Sequence, residues 1–319
     1  MNYRNLGRSG VKVSEICLGT AFRGEPEESV CIRTIDRAID LGCNFVDCAN
    51  IYQHGRSEEI VGKALKGKRD GLVLTTKARS PVGEKPNDRG LSRYHIMREI
   101  DRSLKRLQTD HVDIYICHAW DPETPLDETF RAMDDVVRSG RTRYIGISNF
   151  NAWQIVESLW TCDAANLDRF VVLQNQYNLF TRWEMEPDVM PVCSRYGIGL
   201  MTFSPIAIGL LTGRYRRGVE PPADGPWGAG KYDLDRALTE KNDGVIQKLI
   251  DIADGRGKTP AQVATAWVLD HPEITSAMIG PDGPEQVDES LGAVGWRLTE
   301  EERAILDAAS EPDQSYIYL

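Results

Sequence analysis

The chain has 319 residues, of which 41% are hydrophobic and 27% charged, an ordinary make-up for a soluble globular protein. That length holds two average domains or one large (β/α)8 barrel, which takes about 250 residues. A net charge of −10 argues against a general binder of nucleic acid or of an anionic membrane, and no apolar run reaches the ~18 residues of a membrane span.

In chain order, residues 1–10 are polar and lack the apolar segment of a signal peptide. Residues 3–13 predict a β-hairpin around the turn formers of Gly7-Arg8-Ser9-Gly10, capping the closed end of a barrel. Residues 14–18 predict the first barrel strand. Apolar spacing at Val30, Ile35, Ala38, Ile39 and Leu41 predicts a helix over 26–41, stopped by Gly42. Further strands are predicted at 44–47, 72–76, 112–118, 144–148, 171–175, 199–203 and 275–279. Helices are predicted between them at 57–65, 92–107, 125–139, 152–162, 183–195, 241–254 with 260–270, and 284–294, and a last one at 299–309. This alternation implies parallel βα units, and eight of them suggest closure. An open doubly wound sheet is the alternative, but it should carry G-x-G-x-x-G after its first strand. Leu18-Gly19-Thr20-Ala21-Phe22-Arg23 does not. The expected fold is therefore a single α/β domain over 1–319, a (β/α)8 TIM barrel with an N-terminal β-hairpin and a C-terminal helix and tail.

Residues 209–231 break the rhythm with six glycines, three prolines and the cluster Arg214, Arg216, Arg217. A loop of that length is usually functional or mobile. Following the seventh barrel strand, it is expected to cover a cofactor; the alternative is a surface insertion. The tail 311–319 ends Tyr316-Ile317-Tyr318-Leu319, aromatics that suggest docking onto the barrel. The seven cysteines, scattered without C-x-x-C pairs, read as reduced thiols in a cytoplasm. No His, Cys or carboxylate spacing suits a metal.

In a parallel barrel the C-terminal strand ends open on one face, where catalytic groups collect. The second predicted strand ends in Asp47, with Tyr52 one loop later; the third ends in Lys77 and the fourth in His118. Acid, phenol, amine and imidazole together make a proton-transfer device. The Lys77 ammonium should lower the Tyr52 pKa, Asp47 should keep Lys77 charged, and His118 should hold a substrate carbonyl oxygen. Singly, each residue has a plain structural explanation; their joint placement at successive strand ends is what points to chemistry.

The arrangement resembles the aldo-keto reductases. The resemblance runs through Leu6-Gly7-Arg8-Ser9-Gly10, Cys17-Leu18-Gly19-Thr20, Phe45-Val46-Asp47, Gly55-Arg56-Ser57-Glu58 and Thr76-Lys77. It continues through Gly146-Ile147-Ser148-Asn149-Phe150, Gln174-Asn175, Ser204-Pro205 and Glu285-Gln286. Within the family the chain looks closest to the bacterial branch near glyceraldehyde-phosphate reductases and potassium-channel β subunits. The resemblance implies that Asp47, Tyr52, Lys77 and His118 are a catalytic tetrad. It implies reversible hydride transfer between NAD(P)(H) and an aldehyde, ketone or sugar-type alcohol, with Tyr52 moving the proton. A different class stays open: a cofactor-binding regulatory subunit of the channel-β type with little turnover.

The same resemblance implies cofactor contacts from Gly19, Thr20 and Asp47, and from Ser148, Asn149 and Gln174 at the nicotinamide, with Phe203 stacked on its ring. Ser148 and Asn149 could equally cap a helix. Ser204, Pro205, Gly209 and Leu210 resemble the pyrophosphate segment, and Gly280, Asp282, Gln286 and Ser290 the adenosine-phosphate segment. Phe22, Arg23, Tyr52 and Trp120 are the candidate substrate pocket, and homo-oligomerisation is left open. NADPH is the family default. Here Asp282 stands where a basic partner of the 2′-phosphate is expected, and a carboxylate suits ribose hydroxyls better, which tips the expectation slightly towards NAD(H). The alternative is that Asp282 only turns the chain while Arg214, Arg216 or Arg217 reaches the phosphate.

Overall fold

Side chains alternate across a strand, so a short apolar strand with both faces covered serves two cores at once. Eight barrel strands do this here. The computed structural model describes residues 1–312 apart from Glu25, Asp224 and Pro226. β1 (Tyr3–Asn5) and β2 (Lys12–Ser14) pair antiparallel as the hairpin. Eight parallel strands close the barrel in sequence order: β3 (Ile16–Gly19), β4 (Phe45–Asp47), β5 (Val73–Ala78), β6 (Val112–Cys117), β7 (Thr142–Ser148), β8 (Val172–Gln176), β9 (Gly199–Phe203) and β10 (Ile274–Ile279). β10 closes on β3 with Met278 opposite Cys17.

Inside the barrel Cys17, Phe45, Val73, Ile114, Ile116, Val172 and Met201 pack together, and Leu6 and Val13 of the hairpin plug the bottom. Gly7 is required there. It holds φ +56°, and a Cβ on it would come within 2.5 Å of the Gly199 nitrogen and 2.6 Å of the Gly197 oxygen. The larger core lies between the barrel and its helices. These are α1 (Glu28–Asp40), α2 (Arg56–Ala64), α3 (Arg93–Leu107), α4 (Leu126–Arg138), α5 (Ala152–Ala164), α6 (Met190–Tyr196), α7 (Leu234–Ala237), α8 (Glu240–Arg256), α9 (Pro260–Leu269), α10 (Pro284–Leu291) and α11 (Glu300–Ala309). Among the described residues no helix is long and apolar enough to cross a membrane.

The barrel with its hairpin and last helix agrees with the expectation from sequence; the departures have local causes. The helix expected over 183–195 opens as a π-turn, Met185–Val189, before α6. Pro187 and Pro191 lack the N–H that a continuous helix needs. The long loop, 209–231, begins within a tight turn, Ala207–Thr212, and is followed by the short α7. Two aromatics anchor it: Tyr215 and Trp227 are buried, and Trp227 Nε1 donates to the Ile208 carbonyl at 2.9 Å. Residues 313–319, where the docking tail was expected, lie outside the described residues.

Candidate active site

Phe45 and Asp47 share the inward face of β4, and Val73, Thr75 and Lys77 that of β5. The register sets Phe45 against Val73 and Asp47 against Thr75. Lys77, two residues beyond Thr75, therefore lies one step nearer the open face. Its Nζ donates to Asp47 Oδ2 at 2.5 Å, to the Cys48 carbonyl at 2.8 Å and to the Tyr52 hydroxyl at 3.3 Å. Lys77 and Asp47 are completely buried. The His118 and Tyr52 rings meet edge-on, with centroids 5.9 Å apart. All four residues expected to converge do so.

Asp47 is held by more than lysine. Its Oδ1 accepts from Thr75 Oγ1 at 2.6 Å and from Gln174 Nε2 at 2.9 Å. Its backbone carbonyl accepts from the Thr20 nitrogen and hydroxyl. Thr20, Ser148 and Gln174 were expected at the cofactor; all three are buried, and the Thr20 hydroxyl and Gln174 amide brace Asp47. Asn149, at φ +57°, donates from Nδ2 to the His118 carbonyl at 2.8 Å and to Ser148 Oγ at 3.0 Å. It ties β7 to the end of β6, while the cap of α5 is Asn151. The Gly55-Arg56-Ser57-Glu58 motif is also bracing. Ser57 Oγ donates to the Thr20 carbonyl, and buried Glu58 joins Thr76 to Arg106. Thr75 and Arg79 were not singled out from sequence. Thr75 shares the period-two face of Lys77, which is the signal that marks it.

Burial sets the electrostatics. It opposes charge on Lys77, but Asp47 and Tyr52 outweigh it and hold the ammonium well above its ordinary range. Tyr52 was expected to be lowered. Burial of the phenol raises it and exceeds the pull of Lys77, so its pKa lies above the usual tyrosine value. Burial, then the charges of Lys77 and Arg79, push the His118 imidazolium down to about 3. At neutral pH the site holds a charged lysine, a neutral imidazole and a protonated phenol. Burial and Glu58 push Cys48 up to about 12, which makes it a poor nucleophile.

The rim is looser. Phe203 ends β9 half-buried. Beyond it Ser204, Ala207 and Ile208 hold positive φ although none is glycine, followed by Gly209 at φ +91°. Such strain gathers at ligand clamps, and turns of this kind form anion-binding concavities of backbone N–H groups. Pro205 and Leu210 are buried beneath this turn. After β10, Gly280 is exposed and Ser290 half-buried. Gln286 Oε1 accepts from the Asp282 nitrogen at 2.9 Å. Asp282 Oδ2 accepts from the Gly24 nitrogen at 3.1 Å. Its Oδ1 is buried with no partner among the described residues. Burial raises the Asp282 pKa, against the Gly24 hydrogen bond and the charges of Arg23 and Lys231. Arg216 is engaged by Asp243 and Gln247 of α8, and Arg217 lies over the same helix.

Of the pocket candidates, Phe22 is buried at φ +43°, and its carbonyl accepts from Gln53 Nε2 beside Tyr52. Arg23 is exposed and reaches the Tyr232 hydroxyl at 3.4 Å. Trp120 packs edge-on against Phe150 and Trp153, both at 5.3 Å. Gly19 backs onto Met278, leaving no room for a Cβ. Among the described residues no group of three or more His, Cys, Asp or Glu could hold a metal ion.

Known proteins share this arrangement of sequence. The Aldo/keto reductase family profile matches residues 15–311. A probable voltage-gated potassium channel subunit beta of Arabidopsis thaliana is 38% identical over 301 residues, covering 92% of this chain and 91% of that protein. A rice protein of the same description gives the same identity and coverage. An uncharacterized oxidoreductase of Bacillus subtilis, YrpG, is 39% identical over 314 residues, covering 94% of this chain and 93% of that protein.

Proposed function

The chain belongs to the aldo/keto reductase family of oxidoreductases, and from that premise we propose that it reduces an aldehyde or ketone with NAD(P)H, with Tyr52 as proton donor. The observation that carries this is the buried Lys77–Asp47 pair whose ammonium lies 3.3 Å from the Tyr52 hydroxyl. When bound, the dinucleotide supplies the hydride. Tyr52, a phenol protonated at neutral pH whose pKa burial raises further, gives its proton to the developing alkoxide. Lys77 stabilises the phenolate left behind, and Asp47 fixes Lys77 in place. His118, held neutral, contributes orientation and a hydrogen bond at the carbonyl oxygen. The reverse oxidation of a sugar-type alcohol uses the same groups with Tyr52 as base.

The strained turn at 204–209 suits a pyrophosphate. The unpartnered Asp282 Oδ1 suits a ribose hydroxyl better than a 2′-phosphate, which supports NAD(H) over the family's NADP(H). Of the three alternative phosphate partners, Arg214, Arg216 and Arg217, the last two have side chains turned to α8. A cytoplasmic location is supported by seven free, buried cysteines. The plant relatives' descriptions support a second reading, a cofactor-binding channel subunit with little turnover. Loss of nicotinamide absorbance on adding an activated aromatic aldehyde separates the two. Steady turnover with NADH or NADPH is expected; tight dinucleotide binding without turnover over a carbonyl panel would leave the binding-subunit reading.

A further inference from the structure

Arg79 stands where β5 and β6 end side by side. The register sets Lys77 against Ile116 and Ala78 against Cys117, and the His118 nitrogen donates to the Ala78 carbonyl at 3.0 Å. Ala78 and Cys117 belong to the core between barrel and helices, and Ile116 to the one inside the barrel. The next pair along, Arg79 and His118, therefore stands at the mouth, beyond Lys77. After burial and Lys77, the Arg79 charge is what lowers the His118 imidazolium. Arg79 leaves the strand at φ +146°, which a residue with a Cβ rarely holds. The Gly90 nitrogen pins that backbone by donating to the Arg79 carbonyl at 2.8 Å. Such strain gathers at functional sites.

Arg79 is half-buried. Its enclosed Nε has no partner among the described residues. Its two Nη groups have none there either, and they are open to solvent. Arg69, Arg98, Arg106, Arg182 and Arg216 are also half-buried, and each pairs with a carboxylate. Arg79 pairs with none among the described residues. Asp121 is near enough to matter: burial raises its carboxyl, and hydrogen bonds from Thr124, Leu91 and Glu123, then the Arg79 charge, pull it below its ordinary range. Its oxygens are nevertheless taken by the Leu91 and Glu123 nitrogens and the Thr124 hydroxyl. A guanidinium beside the tetrad thus keeps its outer fork free, and that fork matches a carboxylate in geometry.

We infer that Arg79 receives a carboxylate of the substrate, so that the carbonyl compounds reduced here are oxo acids. One guanidinium balances one negative charge, which suits a carboxylate better than the nearly dianionic phosphate. The inference rests on the carbonyl reduction proposed above. Hydride goes from the dinucleotide to the carbonyl carbon, the Tyr52 proton goes to its oxygen, and the carboxylate is unchanged.

Turnover of 3- and 4-carboxybenzaldehyde against their methyl esters tests this, with NADH and with NADPH. Each pair shares the reacting aldehyde and differs in charge. For at least one spacing the acid-to-ester ratio of kcat/KM should be about ten or more in wild type, as one hydrogen bond to a charged group implies, with the gain in KM. Arg79→Met removes the charge and should bring the ratio to about one or below. Arg79→Lys keeps the charge, loses the fork and should fall between. The ratio cancels any effect through His118 that acid and ester share. Calorimetry of 3- and 4-(hydroxymethyl)benzoate on the dinucleotide-saturated protein reads the same contact without turnover, and Arg79→Met should weaken binding about tenfold or more. If neither acid nor ester turns over while this binding depends on Arg79, the carbonyl-reduction reading fails and the carboxylate site stands. A wild-type ratio near one at both spacings, a ratio that Arg79→Met leaves unchanged, or calorimetric binding that is absent or indifferent to Arg79 overturns the proposal.

Discussion

The floor of the site and its rim are built differently. On the floor, Asp47 and Lys77 are wholly buried, and both Asp47 carboxylate oxygens have partners, on Thr75, Gln174 and Lys77. On the rim, the turn at 204–209 stores backbone strain, Asp282 keeps an oxygen without a partner among the described residues, and Arg23 is exposed. A buried charge is stable only when its partners are complete, so the floor is closed and preorganised before any ligand arrives. A surface that must accept a ligand keeps unmet hydrogen-bonding capacity. The two regions should therefore respond differently to substitution: the floor through rate and stability, the rim through which dinucleotide is preferred.

The largest effect is expected at Tyr52. Tyr52→Phe keeps the ring and removes the proton, and should lower carbonyl reduction by about 10²–10⁴ with dinucleotide affinity unchanged. Wild-type turnover in this variant would take the phenol out of the mechanism. Lys77→Met comes next. It leaves the buried Asp47 without its cationic partner, and breaking such a pair costs about 3–5 kcal/mol of stability, readable by denaturant titration. It also removes the main charge that pulls the Tyr52 pKa down, while burial and Asp47 still push it up. Oxidation needs phenolate, so its rate should climb with pH on the alkaline side in wild type. In Lys77→Met that limb should move to still higher pH. Superimposable pH profiles would contradict the role given to Lys77.

Thr75→Val probes the floor more gently. It is nearly isosteric and deletes one hydrogen bond to a charged group, worth about 1.5–3 kcal/mol of stability. Because Thr75 acts through Asp47, kcat should fall on the order of tenfold while dinucleotide affinity holds. An equal loss in affinity and kcat would mean that Thr75 supports the fold at large rather than the position of Asp47.

The strand ends were legible because the barrel strands are short and apolar, and at three of them a polar residue stands at or within one position of the end: Asp47, Lys77 and His118. The bracing was not. Gln174 reaches Asp47 across 127 positions, and periodicity carries no information about partners that far apart. The direction of the Tyr52 shift was missed for a related reason. The sequence displays the lysine that lowers it, while the burial that raises it depends on neighbours packed from other parts of the chain. Strain at Ser204, Ala207 and Ile208 was invisible because positive φ is read from glycine or asparagine, and none of the three is either.

The smallest expected effect belongs to the rim. Asp282 Oδ1 has no partner among the described residues, while Oδ2 accepts from Gly24 and the Asp282 nitrogen donates to Gln286. A ribose hydroxyl would satisfy that oxygen, whereas a 2′-phosphate near it would set two like charges together. The kcat/KM ratio of NADH to NADPH should therefore exceed one in wild type. Asp282→Arg replaces repulsion with a phosphate partner and should shift the ratio towards NADPH by about tenfold. The substitution also breaks the Gly24 contact, which joins the first loop to the last, so both values of kcat/KM should fall; the ratio is the informative quantity. Asp282→Asn removes the charge, retains an acceptor for Gly24, and should give an intermediate ratio. A strong NADPH preference in wild type that neither substitution alters would remove Asp282 from cofactor choice and transfer it to loop closure alone.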